Sequence, residues 1–268
     1  MAKNKKVAAF FDLDKTIIAK SSTLAFSKPF FDGGLISRRS VLRSAYAQFV
    51  FAISGADQNQ MEKMRAYLTD LVAGWEVATV KDAVSETLHT IIDPLVYDEA
   101  VQLMEHHRSL GRDIIIVSAS GSEVVEPIGE MLGADHVVST RLVEKDGKYT
   151  GEIEFYAYGE NKAKAILEMA DKYGYDLNSS FAYSDSETDI PMLEVVGNPF
   201  AVNPDKALRK MANERDWQIL QFAKPVQLRA KVLHTPQRRI IAASVVTAAI
   251  IWLAFAVRTN RRNRQNLA

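Results

Sequence analysis

Five apolar residues in a row, Val7 to Phe11, end abruptly at Asp12, and Leu13, Asp14, Lys15 and Thr16 follow. An unbroken apolar run of this kind predicts a strand buried on both faces, as in a parallel sheet. Four further runs repeat the pattern. Asp113 to Ser118 reads as a second strand that runs into the small residues Ser118, Ala119, Ser120 and Gly121. His136 to Ser139 reads as a short third strand, Ser180 to Tyr183 as a fourth ending near Asp185 and Asp189, and Pro199 to Val202 as a fifth. Between the runs the apolar spacing becomes helical, over about 97–110, 123–132, 160–172 and 191–196, with Gly111 and Gly133 as stops. Asp146-Gly147, a favoured tight-turn pair, marks a hairpin within Leu142 to Glu152.

Two stretches break this alternation. After Thr16 the pattern is helical without a strand, over 38–54, 60–72 and 77–92, with a break near Gly74 and a close at Asp93-Pro94. Asp205 to His234 predicts one or two amphipathic helices, interrupted at Pro225 and closed by Pro236. Strand alternating with helix implies an α/β parallel sheet with right-handed crossovers and an insert after its first strand.

The end of the chain differs in kind. Residues 240–257 hold no charge and only Ser244 and Thr247 as polar side chains. As a helix these eighteen residues span about 27 Å, close to the roughly 30 Å of a bilayer's hydrocarbon. Arg238 and Arg239 flank one end, and Arg258, Arg261, Arg262 and Arg264 the other. A core helix with basic clusters at both ends and no polar stripe is unusual, so the expectation is a single-pass C-terminal transmembrane anchor. Residues 223–239 read as a basic linker and 258–268 as a basic tail.

Composition narrows the classes. With 47% hydrophobic and 25% charged residues in 268, the chain can build a sizeable core. Lys plus Arg equal Asp plus Glu at 33 each, which argues against a nucleic-acid partner. From Lys224 onward, however, there are nine basic residues and no acid, so the remainder is net acidic. The absence of cysteine excludes disulfides, thiolate metal sites and a thiol nucleophile. The basic start, MAKNKK, precedes too short an apolar run for a signal peptide, so the large folded part is expected in the cytoplasm.

The candidate chemistry lies at the ends of the strands. Asp12 and Asp14 follow the first, Ser118 closes the second, Lys162 opens the helix over 160–172, and Asp185 and Asp189 follow the fourth. Open α/β sheets place their ligands at the carboxyl ends of strands. Two neighbouring carboxylates repel unless a cation or proton sits between them.

In order, DLDKT at Asp12 to Thr16, VSAS at Val117 to Ser120, the lysine of GENKAKA at Lys162 and SDSETD at Ser184 to Asp189 resemble the four motifs of the haloacid-dehalogenase superfamily of phosphohydrolases. The helical insert and the Asp146-Gly147 hairpin are similar to the branch containing phosphoserine phosphatase. The resemblance implies a Rossmann-like core over residues 1–16 and 95–222 with a helical cap over 17–94. It implies Asp12 as nucleophile, Asp14 as general acid–base, and Ser118, Ala119 and Lys162 as holders of the phosphate. It implies Mg²⁺ as cofactor, held by Asp12, Asp14 through its backbone carbonyl and Asp185, with Asp189 and Thr16 in support.

The sequence departs from that branch at one position. The glutamate that meets the substrate ammonium in phosphoserine phosphatases lies nine positions after the nucleophile, where this chain has Ser21. An ammonium buried there would lack a carboxylate. The expected function is a membrane-tethered Mg²⁺-dependent phosphomonoester phosphatase for a lipid-related phosphate or a small metabolite. The alternatives are a phosphoserine phosphatase and a tethered binding module without turnover, and the second needs a lost catalytic group that none of the four motifs shows.

Overall fold

The computed structural model describes residues 6–35, 69 and 72–223. The chain divides into two units, Met1–Val226 and Gln227–Ala268, and every described residue belongs to the first. The helix expected over 38–54 and most of that over 60–72 lie outside the described residues, as do the linker from Lys224, the anchor over 240–257 and the tail over 258–268. Among the described residues no helix is long and apolar enough to cross a membrane.

The apolar run at the start becomes β1 (Ala8–Phe11), fully buried, at the middle of a seven-stranded sheet. On one side lie β2 (Asp113–Gly121), β3 (His136–Lys145) and β4 (Lys148–Phe155), and on the other β5 (Phe181–Ser184), β6 (Asn198–Val202) and β7 (Gln218–Leu220). All pairings are parallel except β3 with β4, which form the expected hairpin. Asp146 and Gly147 at its tip both take positive φ, 52° and 75°, as a two-residue turn matched to strand twist requires. The chain leaves β1 to build one side of the sheet and later returns to build the other. The crevice at that reversal, above β1, β2 and β5, is where such sheets bind ligands.

The helices cover both faces. Alternate residues of a strand face opposite sides, so Phe10 joins Ile115, Val117 and Ala182 in a core closed by α6 (Glu160–Tyr173), α7 (Ile190–Glu194) and α8 (Lys206–Glu214). Phe11 faces the other way and stacks on Tyr183 at 4.5 Å between ring centroids. Helices α4 (Asp98–Ser109) and α5 (Ser122–Leu132) cover this second face. Gly129 of α5 lies so close to the sheet that a Cβ there would fall 2.5 Å from Val137.

The inner face of α4 carries a buried histidine, His107. Arg112 approaches His107 Nδ1 at 3.1 Å and can only donate, so Nδ1 is bare and Nε2–H donates to Tyr183 Oη at 2.8 Å. Burial, and the Arg112 charge after it, lower the His107 pKa to about 4, so the ring is neutral in the fold.

Two expectations need correction. Gln218–Leu220 is an edge strand rather than part of a helix, because α8 stops at Glu214 and Asp216, at φ 54°, turns the chain back to the sheet. The third strand is not short: it runs on from His136 through Lys145 into the hairpin. The insert leaves and rejoins the core through paired backbone. Ala19 N–H donates to the Leu95 carbonyl at 2.8 Å and Tyr97 N–H to that of Ile17 at 2.9 Å. Its described pieces include α1 (Ser22–Ala25), α2 (Ser27–Asp32) and α3 (Val77–Ile92), and α3 packs on α5. Residues 74–77 also pair with the hairpin, Tyr149 N–H donating to Trp75 at 3.1 Å and Gly74 N–H to Tyr149 at 2.8 Å.

Candidate active site

Asp12 follows β1 directly, and its N–H donates to the Tyr183 carbonyl of β5 at 2.9 Å, which ties the loop to the sheet. The next turn, with Ile17 N–H on the Leu13 carbonyl at 2.9 Å and Lys15 at φ 62°, swings Asp14 and Thr16 over the strand ends. Lys162 arrives from the first turn of α6 and lies between two acids. Its Nζ is 2.7 Å from Asp12 Oδ1 and 2.7 Å from Asp189 Oδ2. All three residues are buried, at 2%, 6% and 2% exposure for Lys162, Asp12 and Asp189. Ser184, the last residue of β5, donates to the same Asp189 oxygen at 2.7 Å, while Asp189 Oδ1 is buried with no hydrogen-bond partner among the described residues.

Burial dominates the electrostatics. Burial, reinforced by Asp189, Asp185 and Asp14, outweighs the pull of Lys162 and holds Asp12 well above the usual carboxylate range. Burial pushes Asp185 up to about 6 although Lys15 pulls it down. For Lys162 burial opposes the charge, but Asp12 and Asp189 overcome it and raise its pKa. Four carboxylates thus share one neighbourhood with two lysines, an arrangement that favours bound positive charge.

Asp14 belongs to a hydroxyl cluster. Its Oδ1 accepts from Ser22 N–H at 2.8 Å and its Oδ2 from Ser120 Oγ at 3.0 Å. Ser120 has one proton and gives it to Asp14, so Ser22 Oγ at 2.9 Å and Thr23 Oγ1 at 3.0 Å both donate to Ser120. Ser118, buried at the end of the regular part of β2, accepts from Ser120 N–H at 3.2 Å. Ala119 lies between them, its carbonyl fixed by Thr140 Oγ1 at 2.7 Å. Thr16 is fully buried and donates to Asp185 at 3.5 Å, a long contact that makes it a support for that carboxylate.

The structure therefore gathers the sequence-derived residues Asp12, Asp14, Ser118, Ala119, Lys162, Asp185, Asp189 and Thr16 at one edge of one sheet. It adds Ser22, Thr23, Ser120 and Ser184, and also Asp205. That aspartate caps α8 and braces the Asp185 loop, its N–H on the Asp185 carbonyl at 2.8 Å and its Oδ2 accepting from Glu187 N–H at 2.9 Å. Ser120 closes the VSAS motif, and Asp205 opens a helical pattern as an N-cap. Ser22 carried no signal of its own.

Comparison with known proteins agrees with this geometry. The profile of the haloacid dehalogenase-like hydrolases matches residues 9–194. The chain belongs to that family. It is 58% identical over 264 residues to the inhibition of morphological differentiation protein of Streptomyces azureus, covering 95% of each chain. It is 55% identical over 253 residues to a probable phosphatase of Mycobacterium tuberculosis, covering 94% of this chain and 86% of the relative. In fold it resembles the crystal structure of an apo phosphoserine phosphatase, with a TM-score of 0.59 at 21% identity over 86% of this chain and 99% of the other. This chain is a phosphatase-like hydrolase of that family.

The donor set bears on a metal. Among the described residues no three His, Cys, Asp or Glu side chains form a group that could hold a metal ion. The set derived from sequence has two side chains, Asp12 and Asp185, and one backbone carbonyl, that of Asp14. Its all-oxygen chemistry, the raised pKa values of Asp12 and Asp185 and the unpartnered Asp189 Oδ1 fit a hard divalent cation.

Proposed function

We propose that this protein is a Mg²⁺-dependent phosphomonoester phosphatase working through a phospho-aspartate at Asp12. The observation that carries the reading is Asp12 itself, a buried carboxylate at the end of the central strand with a lysine at 2.7 Å. In the first half-reaction an Asp12 carboxylate oxygen attacks phosphorus, the bond from phosphorus to the ester oxygen breaks, and Asp14, entering the cycle in its protonated form, gives that proton to the departing alkoxide. In the second half-reaction Asp14 takes a proton from water, whose oxygen attacks the phosphoryl group and releases inorganic phosphate and the Asp12 carboxylate. Lys162 and Ser118 hold phosphoryl oxygens and offset the growing negative charge. Asp12, Asp185 and the Asp14 carbonyl would hold Mg²⁺, which supplies electrostatic stabilisation of the phosphoryl oxygens.

Phosphoserine is the less favoured substrate. Ser21 precedes α1 without a side-chain cap bond and offers an ammonium no charge. Residues 240–257 are proposed to anchor the chain in a membrane with the catalytic unit in the cytoplasm, a reading supported by their uncharged composition alone. The reading is tested by assaying the full chain on a panel of phosphomonoesters after EDTA treatment. Activity restored by Mg²⁺ and abolished by Asp12→Asn supports it, and full activity of that variant sinks it. Recovery of the full chain in the soluble fraction after lysis without detergent counts against the anchor.

A further inference from the structure

A cavity of about 170 Å³ adjoins the hydroxyl cluster around Asp14. The cap contributes Phe30, Trp75 and Val80 to its wall, the hairpin contributes Leu142, Ile153 and Tyr156, and Ala119, Ser120 and Thr23 form the end nearest the chemistry. Ser120 donates to Asp14, so the cavity starts where the leaving oxygen would receive its proton. Among the described residues of this apolar wall, Glu123 is the one carboxylate, only 9% exposed.

Among the described residues, Glu123 keeps acceptor capacity to spare. Ser122 Oγ donates to its Oε1 at 2.9 Å. The buried Tyr149 hydroxyl faces it, outside the geometry of a well-formed hydrogen bond. A carboxylate has about four acceptor positions. A buried acid with capacity to spare, in an apolar cavity, is costly unless a donor reaches it.

We propose that this cavity receives the leaving group of the phosphomonoester and that Glu123 is its specificity-determining residue, selecting an organic part about the size of one aromatic ring that carries an O–H or N–H donor. The proposal rests on the phosphatase reading and names the substrate class for that same site. Volume sets the size. An apolar cavity of about 150 Å³ accepts one benzene. At that density the 170 Å³ here holds about seven heavy atoms, enough for one ring and its donor. Glu123 thus supplies, from the core, the carboxylate that Ser21 does not supply from the cap.

The test compares four probes with the full chain and Mg²⁺: phenyl phosphate and the matched 4-ethylbenzyl, 4-(hydroxymethyl)benzyl and 4-(aminomethyl)benzyl phosphates. At least one donor-bearing ester should exceed its ethyl counterpart by about 100-fold in kcat/KM, because an apolar end leaves the buried carboxylate unpaired. Glu123→Gln should cut that preference to within about tenfold if the favoured donor is the ammonium. If it is the hydroxyl, the preference should survive in Glu123→Gln and fall in Glu123→Ala. The wild-type ranking needs no variant, so a poorly folding substitution leaves the test intact. Turnover of phenyl phosphate with the ethyl ester preferred overturns the inference alone. No turnover of any probe overturns the phosphatase reading and the inference with it.

Discussion

Lys162→Met removes a cation from between two buried acids and leaves the volume nearly filled. The wild-type ammonium sits 2.7 Å from Asp12 and 2.7 Å from Asp189, with all three side chains almost out of water. Removing one partner of such a pair costs about 3–5 kcal/mol, against a whole-domain reserve of about 5–15 kcal/mol. The loss must depend on pH. Asp12 is already held above its ordinary range by burial, and without Lys162 it is driven higher. A carboxyl whose folded pKa exceeds its unfolded value favours the fold at low pH, and that contribution disappears as pH rises through the folded pKa. Relative to wild type, the variant should therefore be weakest at pH 8 and recover towards pH 5. Urea unfolding of both proteins in EDTA at the two pH values measures this, and adding Asp12→Asn to the variant should restore part of the loss at pH 8. A deficit below about 1 kcal/mol at pH 8, or one that grows on acidification, would refute the reasoning.

Other consequences are as direct. His107 is neutral in the fold with a pKa near 4, whereas the unfolded chain binds its proton near 6.5. Stability should then fall as pH drops from about 6.5 to 4, by about 2–3 kcal/mol for this group, and urea titrations of His107→Gln should show a flatter acid limb. Ser120→Ala should lower kcat about tenfold to a hundredfold and cost about 1–3 kcal/mol in urea unfolding, because it removes the proton donated to Asp14 and leaves the buried Ser22 hydroxyl without its acceptor. Gly197→Ala should cost more than about 2 kcal/mol in urea unfolding, since a Cβ there would fall 1.8 Å from the Asn178 carbonyl oxygen.

The strand ends were legible because a buried strand that stops at aspartate or serine announces both its burial and its edge. Asp12, Ser118, Asp185 and Asp189 could therefore be placed at one sheet edge from sequence, and Lys162 followed from its motif GENKAKA. The partners of Asp14 were not. Ser22 and Ser120 lie 98 positions apart, and small hydroxyl residues carry no periodic signal. The end of β2 was hidden for a related reason, since Ala119 to Gly121 looks like loop yet continues the strand across a register shift. β7 escaped because three residues on a sheet edge cannot outweigh the helical pattern before them. Glu123 read as an ordinary acid in a first helical turn, and only the cavity beside it makes it a candidate for recognition.

In the proposed mechanism Asp12 carries the phosphoryl group during turnover. Rapid acid quench of the full chain with a slowly hydrolysed phosphomonoester, borohydride reduction of any acyl phosphate, and mass analysis of the Val7 to Lys15 peptide address it directly. Reduction is expected at position 12, in proportion to substrate occupancy, with Asp14 intact and no signal in Asp12→Asn. Turnover with the peptide unmodified, or modification at Asp14 instead, would contradict it.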